Sequence, residues 1–167
     1  QMFHSFLVRE DHRNFLRFFW FKNNDPSQEV VTYRMRVHVF GNSPSPAVAT
    51  FGLRTTAKDK EEQFGQDARE FVEQDFYCDD GLKSVSTAQE AIDLLKRTKA
   101  MLSTSNLRLH KIASNSVDVL DAFPATEKAS GICELDLGTD DAPLQRSLGV
   151  LWDVQQDVFT FQVDQDI

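Results

Sequence analysis

The stretch Phe76-Tyr77-Cys78-Asp79-Asp80-Gly81 places two adjacent carboxylates after an aromatic segment. Asp and Gly tolerate the positive φ angles of tight turns, so the stretch predicts a β-hairpin with the carboxylates at its tip. Adjacent carboxylates repel each other unless a cation neutralises them. Mg²⁺ prefers carboxylate oxygens, and two such ions about 3.5–4 Å apart can support an in-line phosphoryl displacement. A solvated Asp-Asp-Gly turn without metal is the alternative interpretation.

The composition predicts a packed globular chain. Its 167 residues fit one domain, and a hydrophobic content of 41% with 14 Phe is enough to bury a core. No apolar run approaches the ~20 residues that a membrane span needs. Cys78 and Cys133 lack the spacing of metal ligands or of a secreted disulfide framework, so we expect reduced thiols in an intracellular protein. The chain shows no signal peptide and begins inside a predicted strand, which suggests a truncated piece.

The charge is unevenly distributed along the chain. The net charge is −8, but residues 1–60 hold 9 Lys/Arg against 5 Asp/Glu, net +4, and residues 61–167 hold 9 against 21, net −12. Any phosphate-binding face should therefore use the first part, where basic residues recur among aromatics. A solvated basic face is the alternative. The basic residues concerned are Arg9, Arg13, Arg17, Lys22, Arg34 and Arg36.

The first part of the chain predicts three strands and a helix. Residues 2–8 and 15–21 are mainly apolar or aromatic and predict an opening β-hairpin. Residues 32–40 alternate between apolar and polar side chains, which is typical of a half-buried strand. Turn residues at 23–27 and 41–46 delimit this strand. Pro46 then starts a helix that is predicted to reach about Glu62.

The remainder predicts helices around the carboxylate hairpin and a closing hairpin. A short helix spans 67–74, and a capping box at Thr87 and Glu90 begins a longer amphipathic helix. Residues 107–112 predict a short strand, and 115–122 and 125–129 predict short turns or helices. Residues 148–154 and 158–163 predict the closing hairpin. The predicted fold class is α+β, a mainly antiparallel sheet with helices packed on one face.

Four segments in this order resemble the palm of a reverse transcriptase. They are Met2-Phe3-His4 in a strand, Phe40-Gly41-x4-Pro46 opening a helix, Tyr77-x-Asp79-Asp80 in a hairpin, and Leu148-Gly149 in another. The details Met-Phe-His, Tyr-Arg-Met-x-Val-His-x-Phe-Gly and Leu-Gly-Val-x-Trp-Asp are most similar to the Pao/BEL group of LTR retrotransposons. The resemblance covers nearly all of the chain and implies a palm with a ferredoxin-like core.

The resemblance implies an RNA-directed DNA polymerase. Such an enzyme adds deoxynucleoside triphosphates to a primer 3′ end on an RNA or DNA template, using two Mg²⁺ ions or Mn²⁺ in their place. Asp79 would coordinate the metals directly, and Asp80 would support it. The family's third aspartate is expected three residues before Gln1, with the fingers domain also upstream. The fragment alone is therefore expected to be inactive.

The resemblance also implies roles for other residues. Phe3 would lie under the incoming sugar and exclude a 2′-hydroxyl, with Phe40 and Gly41 beside the nucleotide; a core Phe and a simple turn are the alternatives. Tyr77 and Cys78 would flank the primer terminus. Lys111 would donate a proton to pyrophosphate, unless it is an ordinary surface charge. Nucleic-acid contacts are expected at Ser45 and Pro46 beneath the template, and at Leu148, Gly149 and Trp152 in a primer-gripping hairpin over about 146–163.

Two other function classes compete with the polymerase. One is a catalytically inactive remnant of a retroelement that serves as a binding or structural module. The other is a nucleotidyl cyclase or a related palm-like phosphotransferase, which is disfavoured because no purine-selecting site is recognisable. The polymerase hypothesis places the protein inside a retroelement polyprotein, in cytoplasmic particles or the nucleus, with no membrane partner. The four histidines His4, His12, His38 and His110 are too scattered to suggest a zinc site.

Overall fold

A computed structural model describes residues 2–129, 145–147, 150–154 and 156–161. They form a mixed α/β structure of helices and small antiparallel sheets. The chain divides into two compact units, Gln1–Thr55 and Thr56–Ile167. The predicted combination of antiparallel strands with helices is confirmed, but the described strands belong to three separate sheets and not to one. The single-domain organisation stays a prediction.

The first unit contains a two-stranded antiparallel ribbon. Strand β1 (Arg17–Phe21) pairs along its whole length with β2 (Val30–Arg34). A 3₁₀ turn at Lys22–Asn24 begins the connection, and Asn23 and Asn24 adopt there the left-handed conformation that Asn tolerates. The loop predicted at 23–27 is therefore confirmed.

The predicted opening hairpin is wrong. Met2–Ser5 and Glu10–Leu16 are 3₁₀ helices, and the segment between them contributes only the isolated bridge Leu7↔Val37. The strand expected over 32–40 likewise leaves the ribbon after Arg34. The apolar runs were compatible with strand pairing, but in the first run the Phe6 ring lies against Gly52 of α1. Strand β1 consequently pairs with β2 instead of with residues 2–8.

Three helices follow in close succession. Helix α1 (Ser45–Asp59) ends before the predicted Glu62, and a short α2 (Glu61–Phe64) follows. Gly65 has φ +100°, a left-handed value that favours glycine, and separates α2 from α3 (Gln66–Gln74). The helix predicted at 67–74 is confirmed. Its apolar face is buried through Ala68, Phe71 and Val72.

The longest helix is α4 (Ala88–Ser103) in the second unit. The predicted capping box is confirmed in its first half, since Glu90 N donates to the N-cap side chain Thr87 Oγ1 at 3.2 Å. The Glu90 carboxylate accepts from Ser86 N at 3.2 Å, one residue before the N-cap. Helix α4 buries one face through Leu94, Thr98, Met101 and Leu102. A neighbouring apolar cluster joins partly buried residues of α4 to Ile112, Val119 and Phe123.

The last described segments are short. The strand predicted at 107–112 is wrong: within it only Ile112 forms a bridge, with Lys128, in parallel orientation. Helix α5 (Val117–Asp121) and a 3₁₀ turn at Ala125–Glu127 confirm the two short elements predicted there. Strands β5 (Gln145–Ser147), β6 (Val150–Asp153) and β7 (Val158–Thr160) form an antiparallel sheet that contains the predicted closing hairpin. In the described part of the chain, no helix is long and apolar enough to cross a membrane.

Arg97 of α4 ties this helix to the start of α3. Its guanidinium donates to Asp67 Oδ2 at 2.5 Å, to Asp93 Oδ2 at 2.7 Å and to the carbonyl of Phe64 at 2.7 Å. The hydrogen bonds from Arg97 to the Asp67 carboxylate lower the pKa of Asp67 below its ordinary value. A lowered carboxyl pKa stabilises the folded state above the unfolded pKa of about 4, and this contribution is lost as the pH falls through the folded pKa.

We therefore expect Arg97→Gln to be less stable than the wild type at pH 7, with a smaller difference near pH 3. Urea unfolding at the two pH values measures both differences. Lys96→Gln, an exposed neighbour on α4, is the matched control and should show little difference at either pH. An Arg97→Gln deficit that stays constant from pH 7 to pH 3 would contradict the role of the Asp67 carboxylate.

Candidate metal site

The predicted carboxylate hairpin is confirmed. Strands β3 (Phe76–Tyr77) and β4 (Asp80–Gly81) pair antiparallel, with Phe76 opposite Gly81 and Tyr77 opposite Asp80. The two-residue turn consists of Cys78 and Asp79, and Cys78 has φ +55°. A left-handed conformation is uncommon for a residue with a side chain, whereas two-residue hairpin turns favour it at their central positions. Both carboxylates therefore lie at the tip.

The root of the hairpin is attached to α3. The Phe76 ring meets the buried Phe71 ring edge to face, with 5.1 Å between centroids. Leu82 N donates to Asp75 O at 3.0 Å, which extends the two-residue pairing. Lys83 Nζ contacts Asp75 Oδ2 at 2.5 Å and lies 5.9 Å from the Phe71 centroid. Such short strands would be marginal alone, so these contacts hold the tip in place.

Gly81 is required because the Phe76 ring covers it. A Cβ at this position would lie 2.4 Å from Phe76 Cε2, closer than non-bonded carbons approach. Gly81→Ala should therefore destabilise the protein by about 1–3 kcal/mol, as overpacking does. Chemical denaturation measures the change. In a Phe76→Leu background, Gly81→Ala should lower the free energy of unfolding by less than it does in the wild-type background. Equal stability of Gly81→Ala and the wild type would refute the close contact.

The carboxylates of Asp79 and Asp80 are both exposed, as is Tyr77, which is 69% exposed. Two neighbouring carboxylates are the kind of donor that Mg²⁺ takes, because this ion binds through one or two carboxylates and completes its shell with water or phosphate. Among the described residues, however, no group of three or more His, Cys, Asp or Glu side chains could hold a metal. The pair is therefore the kind of donor that Mg²⁺ takes, and the two-ion site stays a prediction.

The predicted nucleotide-binding residues of the first unit lie partly together. Phe3 and Phe40 meet edge to face with ring centroids 4.8 Å apart. Gly41 has φ +79°, a left-handed value that favours glycine, and a Cβ there would meet no protein atom within 4 Å. Ser45 is only 1% exposed and its hydroxyl pairs with His38 Nδ1 at 3.2 Å. Pro46, exposed, occupies the first turn of α1.

The remaining predicted residues are dispersed in the second unit. Lys111 is exposed with φ +63°, immediately before Ile112, whose N–H donates to Glu127 O at 2.8 Å. Trp152 lies opposite Phe159 in the β6–β7 register, and its indole N–H donates to Asp157 Oδ1 at 3.0 Å. Cys78 is a half-buried free thiol. Leu148, Gly149 and Cys133 lie outside the described residues. The roles implied for all these residues stay predictions.

Sequence reasoning missed the side chains that support the hairpin. Phe71 was recognised as an apolar position of a helix, but its contact with Phe76 depends on how the chain turns after Gln74. Lys83 carried no signal, because a single lysine after a turn is ordinary. The buried pair of His38 and Ser45 was likewise unforeseen, since the two residues lie on different segments.

Comparison with known proteins adds no relative. No protein-family model matches the chain, and it has no significant match among curated proteins or solved structures.

Proposed function

We propose that the chain is part of an RNA-directed DNA polymerase and that the β3–β4 hairpin is the metal-binding corner of its palm. One observation carries the proposal: Asp79, in the two-residue turn, and Asp80, the first residue of β4, place two adjacent exposed carboxylates at the tip of a hairpin. The resemblance of Tyr77-x-Asp79-Asp80 to the reverse transcriptase motif implies that these carboxylates bind metal ions for nucleotidyl transfer.

In this proposal Asp79 and Asp80 hold the ions, and the other residues position the substrates. Bound Mg²⁺ would supply charge neutralisation of the triphosphate and activation of the primer 3′-hydroxyl. Phe3, half-buried against Phe40, would provide an apolar surface under the deoxyribose. Template, primer and deoxynucleoside triphosphates are the proposed partners, together with the rest of a retroelement polyprotein in cytoplasmic particles or the nucleus. The palm assignment, with its ferredoxin-like core, belongs to the same proposal.

Primer extension tests the proposal. The protein to use is the chain extended upstream through the expected first-strand aspartate and fingers, supplied with Mg²⁺, deoxynucleotides and a primed RNA template. We expect stepwise addition of deoxynucleotides that stops when EDTA removes the metal. A folded extended protein that adds no nucleotide would refute the polymerase function.

An inactive remnant that serves as a binding or structural module is the second candidate. One observation favours it: Met2–Ser5 is a 3₁₀ helix where the resemblance expects a strand. In the remnant, the residue three places before Gln1 in the parent gene should be something other than aspartate. Sequencing that position, together with the extension assay, separates the two candidates.

A further inference from the structure

We propose that the β1–β2 ribbon binds single-stranded nucleic acid on its Arg–Phe face, which we define as the side carrying Arg17, Phe19, Thr32 and Arg34. The inference deepens the proposed function by naming a strand-binding surface apart from the carboxylate hairpin. The inference rests on the proposed function, which identifies the bound nucleic acid as the template of the polymerase.

The strand register places these side chains on one face. Arg17 lies opposite Arg34, and Phe19 lies opposite Thr32. Paired residues share a face of an antiparallel ribbon, and so do residues two apart along a strand. Phe19 is 75% exposed, so its ring is open to contact beside the two guanidinium groups. An exposed ring next to cations is the combination on which unpaired bases stack while phosphates are neutralised.

The opposite face of the ribbon is occupied by internal contacts. Phe18 and Tyr33 stack with 5.9 Å between centroids and an interplanar angle of 24°. The indole N–H of Trp20 donates to Asn24 Oδ1 at 2.8 Å. Across the ribbon's end, Lys22 Nζ contacts Glu29 Oε1 at 2.8 Å. The three rings of this face remain partly exposed, at 41% for Phe18, 49% for Trp20 and 37% for Tyr33, whereas Phe19 is 75% exposed. Phe21, on the same side as Phe19, is half-buried and meets Trp20 with 5.8 Å between centroids.

The charge of the Arg–Phe face favours an anionic ligand. Arg17 and Arg34 are directly opposite each other, and like charges in that position destabilise a strand pair. Arg34 Nη2 has one carboxylate, Glu10, at 3.8 Å. Among the described residues, no carboxylate lies within ion-pair distance of Arg17. A phosphate between the two guanidinium groups would relieve their repulsion.

The net charge of the first unit also favours an anionic ligand. Residues 1–55 hold 7 Lys/Arg against 4 Asp/Glu, net +3, whereas residues 56–167 hold 11 against 22, net −11. An apolar protein surface would offer Arg17 no anionic partner, and a duplex would offer no open base to Phe19. Single-stranded nucleic acid provides phosphates and unpaired bases together.

Fluorescence anisotropy with a labelled single-stranded RNA 12-mer, without Mg²⁺, tests the inference on the full chain. Phe19→Ala should weaken binding on the order of tenfold, the value of about one stacked base. Phe51→Ala is the matched control, because Phe51 is 73% exposed on α1, and it should leave the affinity unchanged. Equal affinities of the Phe19→Ala variant, the Phe51→Ala variant and the wild type would overturn the proposal.

The salt dependence of the same binding tests the arginine. Arg17→Gln should lower the slope of log affinity against log salt by about 0.7, the contribution of one single-strand phosphate contact. Lys96→Gln removes one exposed charge from α4 and should leave the slope unchanged. Equally tight binding of a duplex of the same length would overturn the stacking argument. Self-association that Phe19→Ala abolishes, without RNA binding, would instead assign the face to a second copy of the chain.

Failure here and failure of the polymerase proposal are distinguishable. If RNA binding depends on Phe19 and no primer is extended, the ribbon inference stands and the polymerase proposal falls. If primers are extended and Phe19→Ala binds the RNA 12-mer as tightly as the wild type, the polymerase proposal stands and the ribbon inference falls.

Discussion

Replacing Asp79 and Asp80 together by asparagine is expected to slow primer extension by the upstream-extended chain by about 10³-fold or more. Asparagine keeps the size of the side chain but removes the negative charge that attracts Mg²⁺. Metal stabilisation of a phosphoryl-transfer transition state contributes several kcal/mol, and each 1.36 kcal/mol is a factor of ten in rate. Both side chains are exposed, so the substitution should change the free energy of unfolding by less than about 0.5 kcal/mol.

Single-turnover extension rates are the appropriate measurement, with stability measured in parallel. Asp59→Asn/Glu62→Gln is the matched control, because it neutralises two other exposed carboxylates of the same chain and should keep the wild-type rate. Asp79→Asn alone should cost more than Asp80→Asn alone if Asp79 is the direct ligand. Wild-type extension by the Asp79→Asn/Asp80→Asn variant would remove the hairpin from the chemistry. Equal losses in both double variants would indicate a general charge effect.

Phe71→Ala is expected to reduce the free energy of unfolding by about 3–5 kcal/mol, the usual cost of emptying a buried Phe site. Phe71 is only 4% exposed, and its ring supports Phe76 at 5.1 Å between centroids. The ring also lies 5.9 Å from Lys83 Nζ, so its removal weakens both anchors of the hairpin. The loss should therefore reach the carboxylate tip as well as the core.

Urea unfolding of Phe71→Ala beside Phe51→Ala measures this effect. Phe51 is 73% exposed, so its truncation should change stability by less than about 0.5 kcal/mol. Phe71→Leu should fall between the wild type and Phe71→Ala, because leucine refills part of the space. If Phe71→Ala unfolds at the same urea concentration as Phe51→Ala, Phe71 does not occupy the core described above.

Local signals predicted the elements that local chemistry controls. Asp79-Asp80-Gly81 correctly predicted a tight hairpin, but the two-residue turn is formed by Cys78 and Asp79, whereas Asp80 and Gly81 belong to β4. Thr87 and Glu90 specified the start of α4 because their side chains accept hydrogen bonds from the backbone N–H groups of Glu90 and Ser86. Such interactions lie within a few residues and need no distant partner.

Elements that depend on distant partners were predicted poorly. Residues 2–8 and 107–112 have the apolar character of strands, yet each contributes only one isolated bridge to a sheet. An apolar run predicts that its side chains are buried, but it does not predict which other segment pairs with its backbone. Helix α1 also ended earlier than its sequence pattern suggested, because Lys60 takes a non-helical conformation before α2.

The sequence by itself determined that two carboxylates occupy a hairpin tip and that a capped amphipathic helix follows, since both depend on neighbouring residues. Only the tertiary structure decided that β1 pairs with β2, that Phe71 and Lys83 anchor the hairpin, and that Phe19 remains exposed beside Arg17 and Arg34. The physical reason is that pairing and exposure depend on which distant surfaces meet. Periodicity along one segment does not contain that information.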